Sequence, residues 1–483
     1  MKAIYKLLSL TMVFTLFIGV MYSCDDDNDI NTADFSIDVT EMTFEQPGGT
    51  NTVEITALPY TTWGISTDAE WLTITDDLGA TTSEGRDSAT ITVTASFNSE
   101  EAERTAIITV YTFNKSYTIN VTQDYSSSNI ANDSSNMSDY TAVELTAQLG
   151  LGWNVGNSLE STGGETAWGN PLITKELIDA VKDAGFTTVR IPVGWSNYIE
   201  DGDDNYTISA AGFARVEEVV NYVLDNDMYA IINIHWDGGW MQPTYDDQDY
   251  VNDRLTKMWK QIAIYFRDYD YHLIFAGTNE VMVDGDYGEP TEEYYTVQNS
   301  FNETFMNTVR ATGGRNYYRY LTIQGFNTNI DYTVAYATLP TDVVSNRMLM
   351  EVHYYDPYNF TINEDDTIWQ WGQNTTDPSA NDGWGDETYV DAQFQKMKTN
   401  FVDQGIGVIL GEYGAMARTN VTGSEAFRSD YLSYVTASAF SHDLTPVYWD
   451  NGGTGDHGMG LFERSTATQA YPDIISAMTN SIP

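Results

Sequence analysis

The chain has 483 residues and a formal net charge of −48 at pH 7, because 22 Lys and Arg face 70 Asp and Glu. This length predicts two or three domains, and an apolar fraction of 42% is enough for a sizeable core. The strong negative charge argues against phosphate-rich partners, so we expect no nucleic acid ligand.

The N-terminus has the pattern of a bacterial export signal. Two lysines precede an apolar run at residues 7–21, which is too short to span a bilayer comfortably. Cys24 follows this run and is the only cysteine, so an internal disulfide is excluded. Residues 1–23 resemble a lipoprotein signal peptide, and the acidic tether 24–34 resembles the surface-export signal of Bacteroidetes lipoproteins. The resemblance implies a lipidated Cys24 on the outer face of the cell outer membrane; the alternative is a secreted protein with an incidental cysteine.

Residues 35–124 alternate apolar side chains with Thr, Ser and charged side chains, as in Thr52-Val53-Glu54-Ile55-Thr56. Period two with many Thr and Val predicts half-buried antiparallel strands. Turn residues recur between the runs, which is typical of a small all-β, immunoglobulin-like sandwich. We expect Trp63 and Trp71 to anchor its core.

Three short motifs of this region resemble a BACON domain, a sandwich module of Bacteroidetes glycan-degrading proteins. They are Ala69-Glu70-Trp71-Leu72, Arg104-Thr105-Ala106 and Ile119-Asn120-Val121-Thr122-Gln123. The resemblance implies either a glycan-binding module or a spacer that holds the next domain off the membrane. We favour the spacer, because no ring of exposed aromatic residues stands out.

A polar linker, residues 125–140, separates this region from residues 141–483. The second region alternates short apolar runs with helical patterns such as 175–184, 211–226 and 252–266. Eight apolar runs predict strands: 151–155, 187–193, 229–234, 273–275, 320–324, 348–352, 408–410 and 446–449. Eight alternating strand and helix units predict an α/β fold, a (β/α)8 TIM barrel.

Polar side chains follow most of the predicted strands. They are Arg190, His235, Asn279, Glu280, His353, Tyr355, Glu412 and Trp449. A single strand-end glutamate can be a solvent-exposed accident, but in this barrel the carboxyl ends of all strands meet at one mouth. We therefore expect the whole set to line one pocket.

Two glutamates with aromatic neighbours suit glycoside hydrolysis, in which one carboxyl donates a proton and the other attacks. Arg190 near one glutamate would hold it ionised, while a less polar setting would keep the other protonated. His235 and His353 lack the close spacing of metal-binding histidines, so we predict no catalytic metal. No cofactor is expected, and the chain is expected to be a monomer.

The motifs of residues 141–483 resemble glycoside hydrolase family 5, subfamily 4. The motifs are Gly152-Trp153-Asn154-Val155-Gly156-Asn157, Val189-Arg190-Ile191-Pro192-Val193, Ile234-His235-Trp236-Asp237, Thr278-Asn279-Glu280, Val352-His353-Tyr354-Tyr355, Gly411-Glu412-Tyr413-Gly414 and Tyr448-Trp449-Asp450-Asn451-Gly452. The resemblance implies a retaining endo-β-1,4-glucanase.

The resemblance also implies a role for each matching residue. Glu280 would be the general acid/base and Glu412 the nucleophile, with Arg190 and Tyr355 orienting Glu412. Asn279 would bind the sugar 2-hydroxyl. His235 and His353 would line the cleavage subsite, Trp449 would form its stacking floor, and Asn154 and Trp236 would complete the substrate-binding set.

Three positions depart from the family pattern. Val281 stands where Pro is usual, Ala276-Gly277 stands where Glu-Gly is usual, and Trp236 stands where many members have a second His. Trp236 either stacks on a sugar or packs locally. None of these departures removes a catalytic group.

The combination of a surface lipoprotein, a BACON domain and this subfamily resembles xyloglucan-cleaving enzymes of glycan-utilisation systems. A broader endo-β-1,4-glucanase is the alternative. A third hypothesis, a non-catalytic glycan-binding lipoprotein, would require the loss of one glutamate, and both are present.

Overall fold

The computed structural model describes residues 35–482 except 45, 47, 99–101, 126–129 and 201. The predicted signal peptide, the acidic tether and Cys24 lie outside the described residues. Within the described part of the chain, no helix combines the length and apolar character needed to cross a bilayer.

The first unit is a β-sandwich, in which the described residues form nine strands. They are β1 (Phe35–Ile37), β2 (Glu41–Phe44), β3 (Gly49–Ala57), β4 (Thr62–Thr67), β5 (Leu72–Thr75), β6 (Glu84–Arg86), β7 (Ala89–Ala95), β8 (Arg104–Tyr111) and β9 (Ser116–Gln123). One sheet has the order β1-β3-β7-β5 and the other β2-β9-β8-β4-β6. The pairs are antiparallel as predicted, except that β2 runs parallel to β9.

The alternating sequence pattern accounts for the sandwich core. In β3, Val53 and Ile55 are buried while Thr52, Glu54 and Thr56 are exposed. This alternation buries one face of each sheet against the other.

The two tryptophans of the sandwich differ in burial. Trp63 is 4% exposed and donates its indole N–H to the Asp87 carbonyl at 2.8 Å, which confirms it as a core anchor. Trp71 is only half-buried, and the Arg104 guanidinium lies 4.5 Å from its ring centroid. Trp71 therefore packs at the edge of the core rather than within it.

The second unit is a closed barrel of eight strands. They are β10 (Gly152–Val155), β11 (Thr188–Ile191), β12 (Tyr229–Asn233), β13 (Leu273–Ala276), β14 (Leu321–Gln324), β15 (Met348–Tyr354), β16 (Gly407–Tyr413) and β17 (Leu444–Asp450). Every neighbouring pair is parallel, including β17 with β10. The predicted (β/α)8 fold and its eight strands are confirmed.

Helices surround the barrel. They are α1 (Ala142–Leu149), α2 (Lys175–Asp183), α3 (Ala210–Leu224), α4 (Gln248–Tyr265), α5 (Glu292–Ala311), α6 (Ile330–Tyr336), α7 (Tyr358–Thr361), α8 (Glu387–Asn400), α9 (Ser424–Ser441) and α10 (Pro472–Thr479), with a short hairpin of β18 (Phe462–Glu463) and β19 (Thr468–Gln469) before α10. Hydroxyl side chains cap several helices, such as Thr174 at α2 and Ser209 at α3. The three predicted helices correspond to α2, α3 and α4.

Helix α1 closes one end of the barrel. Its Leu145 and Leu149 belong to a buried cluster with strand residues such as Ile231 and Ile409. A capping box between Thr141 and Glu144 fixes its start. The sequence pattern did not predict this helix, but its position leaves the opposite end of the barrel for a ligand site.

The sandwich and the linker both pack on the barrel. Phe97, just after β7, is 1% exposed and lies in the barrel core, with its ring centroid 5.7 Å from that of Phe213 in α3. In the linker, Ile130 forms a backbone bridge with Gly313, and Ser138 hydrogen-bonds the Tyr320 hydroxyl at 2.8 Å. The linker was predicted to have almost nothing to bury, and its contacts are mainly polar.

Candidate active site

The barrel brings the predicted strand-end residues together at one mouth. Register places Asn154 of β10 level with Arg190 of β11 and with Trp449 of β17. In β15 and β16, a register shift next to Val352 sets His353 opposite Glu412. Side chains that are more than 250 residues apart in sequence therefore share one pocket.

Arg190 is the cation at the centre of this pocket. It is fully buried, and its Nη1 donates to Glu412 Oε1 and to Asn154 Oδ1, each at 3.0 Å. Its Nη2 donates to Asn279 Oδ1 at 2.5 Å and lies 2.9 Å from Glu351 Oε1. A buried guanidinium needs such partners, because an unpaired charge inside a protein is costly.

Glu412 lies deep in the site. Its side chain is 6% exposed, and it accepts hydrogen bonds from Arg190 and, at 3.0 Å, from the Tyr355 hydroxyl. Burial raises the pKa of the Glu412 carboxyl above its ordinary value, against the effects of His353 and Arg190. Arg190 can only donate, and with Tyr355 it orients the oxygens of an ionised carboxylate.

Glu280 is the accessible carboxyl of the pair, with 42% of its side chain exposed. Its backbone is left-handed, with φ 45, and its N–H donates to Gln324 Oε1 at 3.1 Å. One carboxyl oxygen lies 2.7 Å from His353 Nδ1. Burial raises and the hydrogen bond from His353 lowers the pKa of Glu280, with a net decrease. In the free site, therefore, Glu280 is the ionised partner of His353, and the prediction that a less polar setting keeps the second glutamate protonated is wrong.

His353 sits between three carboxylates. Its Nδ1 faces Glu280 at 2.7 Å and Glu412 at 3.6 Å, and its Nε2 faces Glu351 at 3.0 Å. Burial opposes the charge, but the three carboxylates raise the pKa of His353 to about 9. The imidazole is therefore a cation at neutral pH.

Glu351 is a functional residue that sequence reasoning missed. It lies within β15, is fully buried and contacts both cations of the site, Arg190 and His353. A signal was present in the sequence, since a glutamate inside the apolar run 348–352 requires a buried partner. Glu351 lies inside β15 rather than at its end, so the strand-end pattern does not include it.

His235 and Trp449 form the floor of the site. Their rings are stacked, with centroids 5.7 Å apart and an interplanar angle of 10°. Gly156 lies beneath the indole, and a Cβ there would approach the Trp449 ring to 2.6 Å. Burial, then Arg190 and His353, lower the pKa of His235 well below its ordinary value. His235 is therefore a neutral wall beside an aromatic platform.

Two predicted substrate-binding residues have different settings. Asn154 is fully buried, and its amide donates to the Gly411 carbonyl at 2.8 Å while its oxygen accepts from Arg190. These contacts position Arg190, and a sugar contact by Asn154 stays a prediction. Trp236 is 47% exposed, with its ring against Gly239. Trp236 therefore packs against Gly239 and still leaves about half of its surface exposed, so both of its predicted roles stay open.

A pocket of about 410 Å³ adjoins Glu280. Trp236, Met241, Asn279, Val281 and Tyr287 are among the residues that line it. Neither Glu412 nor Trp449 lines it. The pocket therefore extends the site on the Glu280 side.

The departure at Val281 also has a structural setting. Its side chain is 3% exposed in the barrel core, and its carbonyl accepts from the Asn327 N–H at 3.0 Å. Packing and this bond hold the chain after Glu280 in place.

Among the residues that the structure describes, two groups of side chains have the composition of a metal site. Glu280, His353 and Glu412 bring ligand atoms within 4.8 Å of one another, as do Asp366, Asp456 and His457. The first group is engaged in the hydrogen bonds described above, and the second is partly exposed. The absence of a catalytic metal stays a prediction from the sequence.

The carboxyl separation indicates the chemistry. One oxygen of Glu280 and one of Glu412 lie within 4.8 Å. Retaining glycosidases place their carboxyl groups roughly 5–5.5 Å apart, and inverting ones roughly 6.5–9.5 Å apart. The separation of the Glu280 and Glu412 carboxyl groups therefore fits the retaining arrangement better than the inverting one.

Comparison with known proteins agrees with this chemistry. Residues 154–455 match the family described as cellulase (glycosyl hydrolase family 5). Residues 38–124 match BACON, described as a putative N-terminal binding domain.

Individual relatives cover most of the chain. The xyloglucan-specific endo-beta-1,4-glucanase BoGH5A of Bacteroides ovatus is 40% identical over 100% of this chain and 96% of its own length. A Bacteroides ovatus GH5 xyloglucanase solved with a XXXG heptasaccharide has a TM-score of 0.70 and 38% identity, covering 92% of this chain and 99% of that chain. A GH5-4 broad specificity endoglucanase from Bacteroides salanitronis has a TM-score of 0.68 and 40% identity over 74% of this chain and 99% of that chain.

Proposed function

The chain belongs to glycoside hydrolase family 5, and we propose from this premise that it is an endo-β-1,4-glucanase with xyloglucan as its preferred substrate. The similarity to BoGH5A, which runs through the sandwich as well as the barrel, carries this proposal. The Bacteroides salanitronis enzyme supports the alternative, a broader endo-β-1,4-glucanase acting on cellulose or mixed-linkage glucan.

The retaining mechanism assigns one step to each carboxyl. Glu280 protonates the glycosidic oxygen while Glu412 attacks the anomeric carbon, so the leaving chain departs and a glycosyl ester forms on Glu412. In the second step, Glu280 removes a proton from a water molecule. The water oxygen attacks the same carbon, and Glu412 leaves as a carboxylate. Each displacement inverts the centre, so the product keeps the β configuration.

The pocket beside Glu280 supports a branched substrate. The general acid protonates the leaving oxygen, so the adjoining pocket receives the leaving part of the chain. The pocket has a volume of about 410 Å³, which leaves room for sugar side branches. The exposed rings of Trp236 and Tyr287 offer stacking surfaces beside the glucan backbone. An unbranched glucan would use less of this surface than a xylose-substituted one.

Initial rates on xyloglucan, carboxymethylcellulose and barley glucan test the substrate. We expect the highest kcat/KM on xyloglucan, and a higher value on either other polymer would remove this choice. Trp236→Ala should lower the preference for xyloglucan over barley glucan. Trp384→Ala is the matched control, because Trp384 is similarly exposed, at 44% against 47%, and lines a separate groove.

A non-catalytic glycan-binding lipoprotein is the competing class of function. Glu412→Ala separates the two, since it removes the nucleophile and should abolish hydrolysis of every substrate. Unchanged hydrolysis by this variant would refute the assignment of the pocket.

We also propose that the protein is a surface lipoprotein anchored through Cys24, with the sandwich as a spacer. The support is the apolar run followed by the sole cysteine and an acidic stretch. Labelling with a fatty acid, cell fractionation and external protease treatment test the proposal. We expect labelled, membrane-bound and protease-accessible protein, and release of a Cys24→Ala variant. An unlabelled wild type in the soluble fraction would contradict it.

A further inference from the structure

A third carboxylate lies beneath the catalytic pair. Glu351 Oε1 lies 3.0 Å from His353 Nε2, 2.9 Å from Arg190 Nη2 and 3.1 Å from Gln324 Nε2. Its other oxygen, Oε2, has no hydrogen-bond partner among the described residues. Burying a carboxylate this way costs free energy. The double-displacement steps of Glu280 and Glu412 do not by themselves use it.

The three groups lie in one line of hydrogen bonds. Glu351 contacts Nε2 of His353 at 3.0 Å, and Nδ1 of the same ring contacts Glu280 at 2.7 Å. A carboxylate on one side of an imidazole fixes the ring orientation and stabilises its cation. The proton of Nδ1 is then aimed at the accessible carboxyl.

We propose that Glu351, His353 and Glu280 form a proton relay. In this relay His353 Nδ1 stores the proton that Glu280 gives to the leaving oxygen, and Glu351 is the positioning residue that holds the imidazolium. Glu280 remains the catalytic acid. The relay deepens the glycoside hydrolase activity of the site and is independent of the choice of xyloglucan.

The proton balance closes over one turnover. At rest His353 is a cation and Glu280 is ionised. When substrate covers the site, the Nδ1 proton moves to Glu280 and from there to the glycosidic oxygen, as Glu412 forms the ester. In the second step Glu280 takes a proton from the attacking water, Glu412 leaves as a carboxylate, and the proton returns to Nδ1.

Titratable or charged groups face His353 from the strands around it. The facing groups are Arg190 of β11, His235 after β12, Glu280 after β13, Glu412 of β16, and Glu351 and Tyr355 along or just after β15. The three carboxylates raise the pKa of His353 to about 9, against burial. Glu351 is the one of the three that takes no covalent or proton-transfer part in hydrolysis, so it can be neutralised without removing a catalytic group.

The pH profile of Glu351→Gln tests the relay. Loss of a charge in contact with the imidazole should move the basic limb of kcat/KM to lower pH by about one unit or more. Activity on polysaccharide should fall about 10- to 100-fold, part of the roughly 10²–10⁴-fold that general acid catalysis supplies. The matched control is Glu165→Gln, which removes a buried carboxylate paired with Arg215 outside the site. The control should leave the basic limb in place.

Leaving-group dependence separates proton supply from simple disruption. A dinitrophenyl β-cellobioside needs no proton on its leaving oxygen, so Glu351→Gln should lose at least about tenfold less activity on it than on polysaccharide. Displacement of Arg190 or Glu412 would instead lower both activities equally. The relay requires two results for Glu351→Gln: the basic limb of kcat/KM moves to lower pH, and activity on the dinitrophenyl substrate falls less than activity on polysaccharide. Failure of either result overturns the relay.

Nitrogen NMR of histidine-labelled protein measures the protonation of His353 in the absence of substrate. The His353 signals, assigned with His353→Gln, should show both ring nitrogens protonated at pH 7 in the wild type and a lower pKa in Glu351→Gln. A neutral wild-type His353 at pH 7 would overturn the relay even if the Glu351 variant did not fold. Because no turnover is involved, this result is independent of the substrate experiments.

Discussion

Removal of the Phe97 side chain should undock the sandwich from the barrel. The ring is 1% exposed and belongs to the barrel core, although it is supplied by the sandwich. A buried Phe ring covers roughly 150–250 Å², which at roughly 25 cal/mol per Å² corresponds to about 4–6 kcal/mol. Core Phe→Ala changes cost about 3–5 kcal/mol. Since about 1.4 kcal/mol is a factor of ten, Phe97→Ala should lower the docked-to-undocked ratio about a thousandfold.

Calorimetry and small-angle X-ray scattering measure this effect. We expect the Phe97→Ala protein to show a larger radius of gyration and separate unfolding transitions for the sandwich and the barrel. The rate of glycan cleavage should not change, because Phe97 lies outside the catalytic pocket. Phe113→Ala is the control, since that ring is fully exposed on the same sandwich. Unchanged scattering and unfolding of the Phe97 variant would refute the docking role.

Three further changes test the barrel. Trp449→Ala removes the ring stacked beneath the site and should raise KM about two- to twelvefold, from about 0.5–1.5 kcal/mol of stacking; steady-state kinetics that show an unchanged KM would contradict the platform. Asp450→Ala leaves the buried Arg464 without its 3.0 Å partner, and denaturant titration should show a loss of about 3–5 kcal/mol. Because the pKa of His353 is raised from 6.5 to about 9, its ionisation stabilises the fold fully below about pH 6.5, and this contribution disappears as pH rises through about 9. The stability difference between wild type and His353→Gln should shrink over that range, and a constant difference would argue against the charged imidazole.

The sequence was informative where a feature has a local signature. Barrel strands are buried on both faces, so each appears as a short apolar run, and β10 to β17 follow the predicted runs. Chemistry-bearing residues follow strand ends, which is why Glu280, Glu412 and Arg190 could be named as one site before their contacts were known.

Features that depend on distant partners were not predictable in this way. Phe97 looks like any sandwich residue, because its partner Phe213 lies more than 100 residues away on a helix. The four contacts of Arg190 depend on barrel closure and on the register shift in β15. Glu351 is an intermediate case. A glutamate within an apolar strand is visible in the local sequence, but its partner Arg190 lies far away in the chain.

The polar contacts of the linker decide where a catalytic fragment should begin. Residues 130–140 lie against the barrel, where Ser138 binds Tyr320 and Arg347 donates to the Ser138 carbonyl at 2.6 Å. A fragment that starts at Thr141 would expose these groups and lose the bridge from Ile130 to Gly313. A fragment that starts upstream of Ile130 keeps all three contacts. For recombinant expression of the barrel alone, the natural truncation point is therefore before the linker reaches the barrel, not at the first helix.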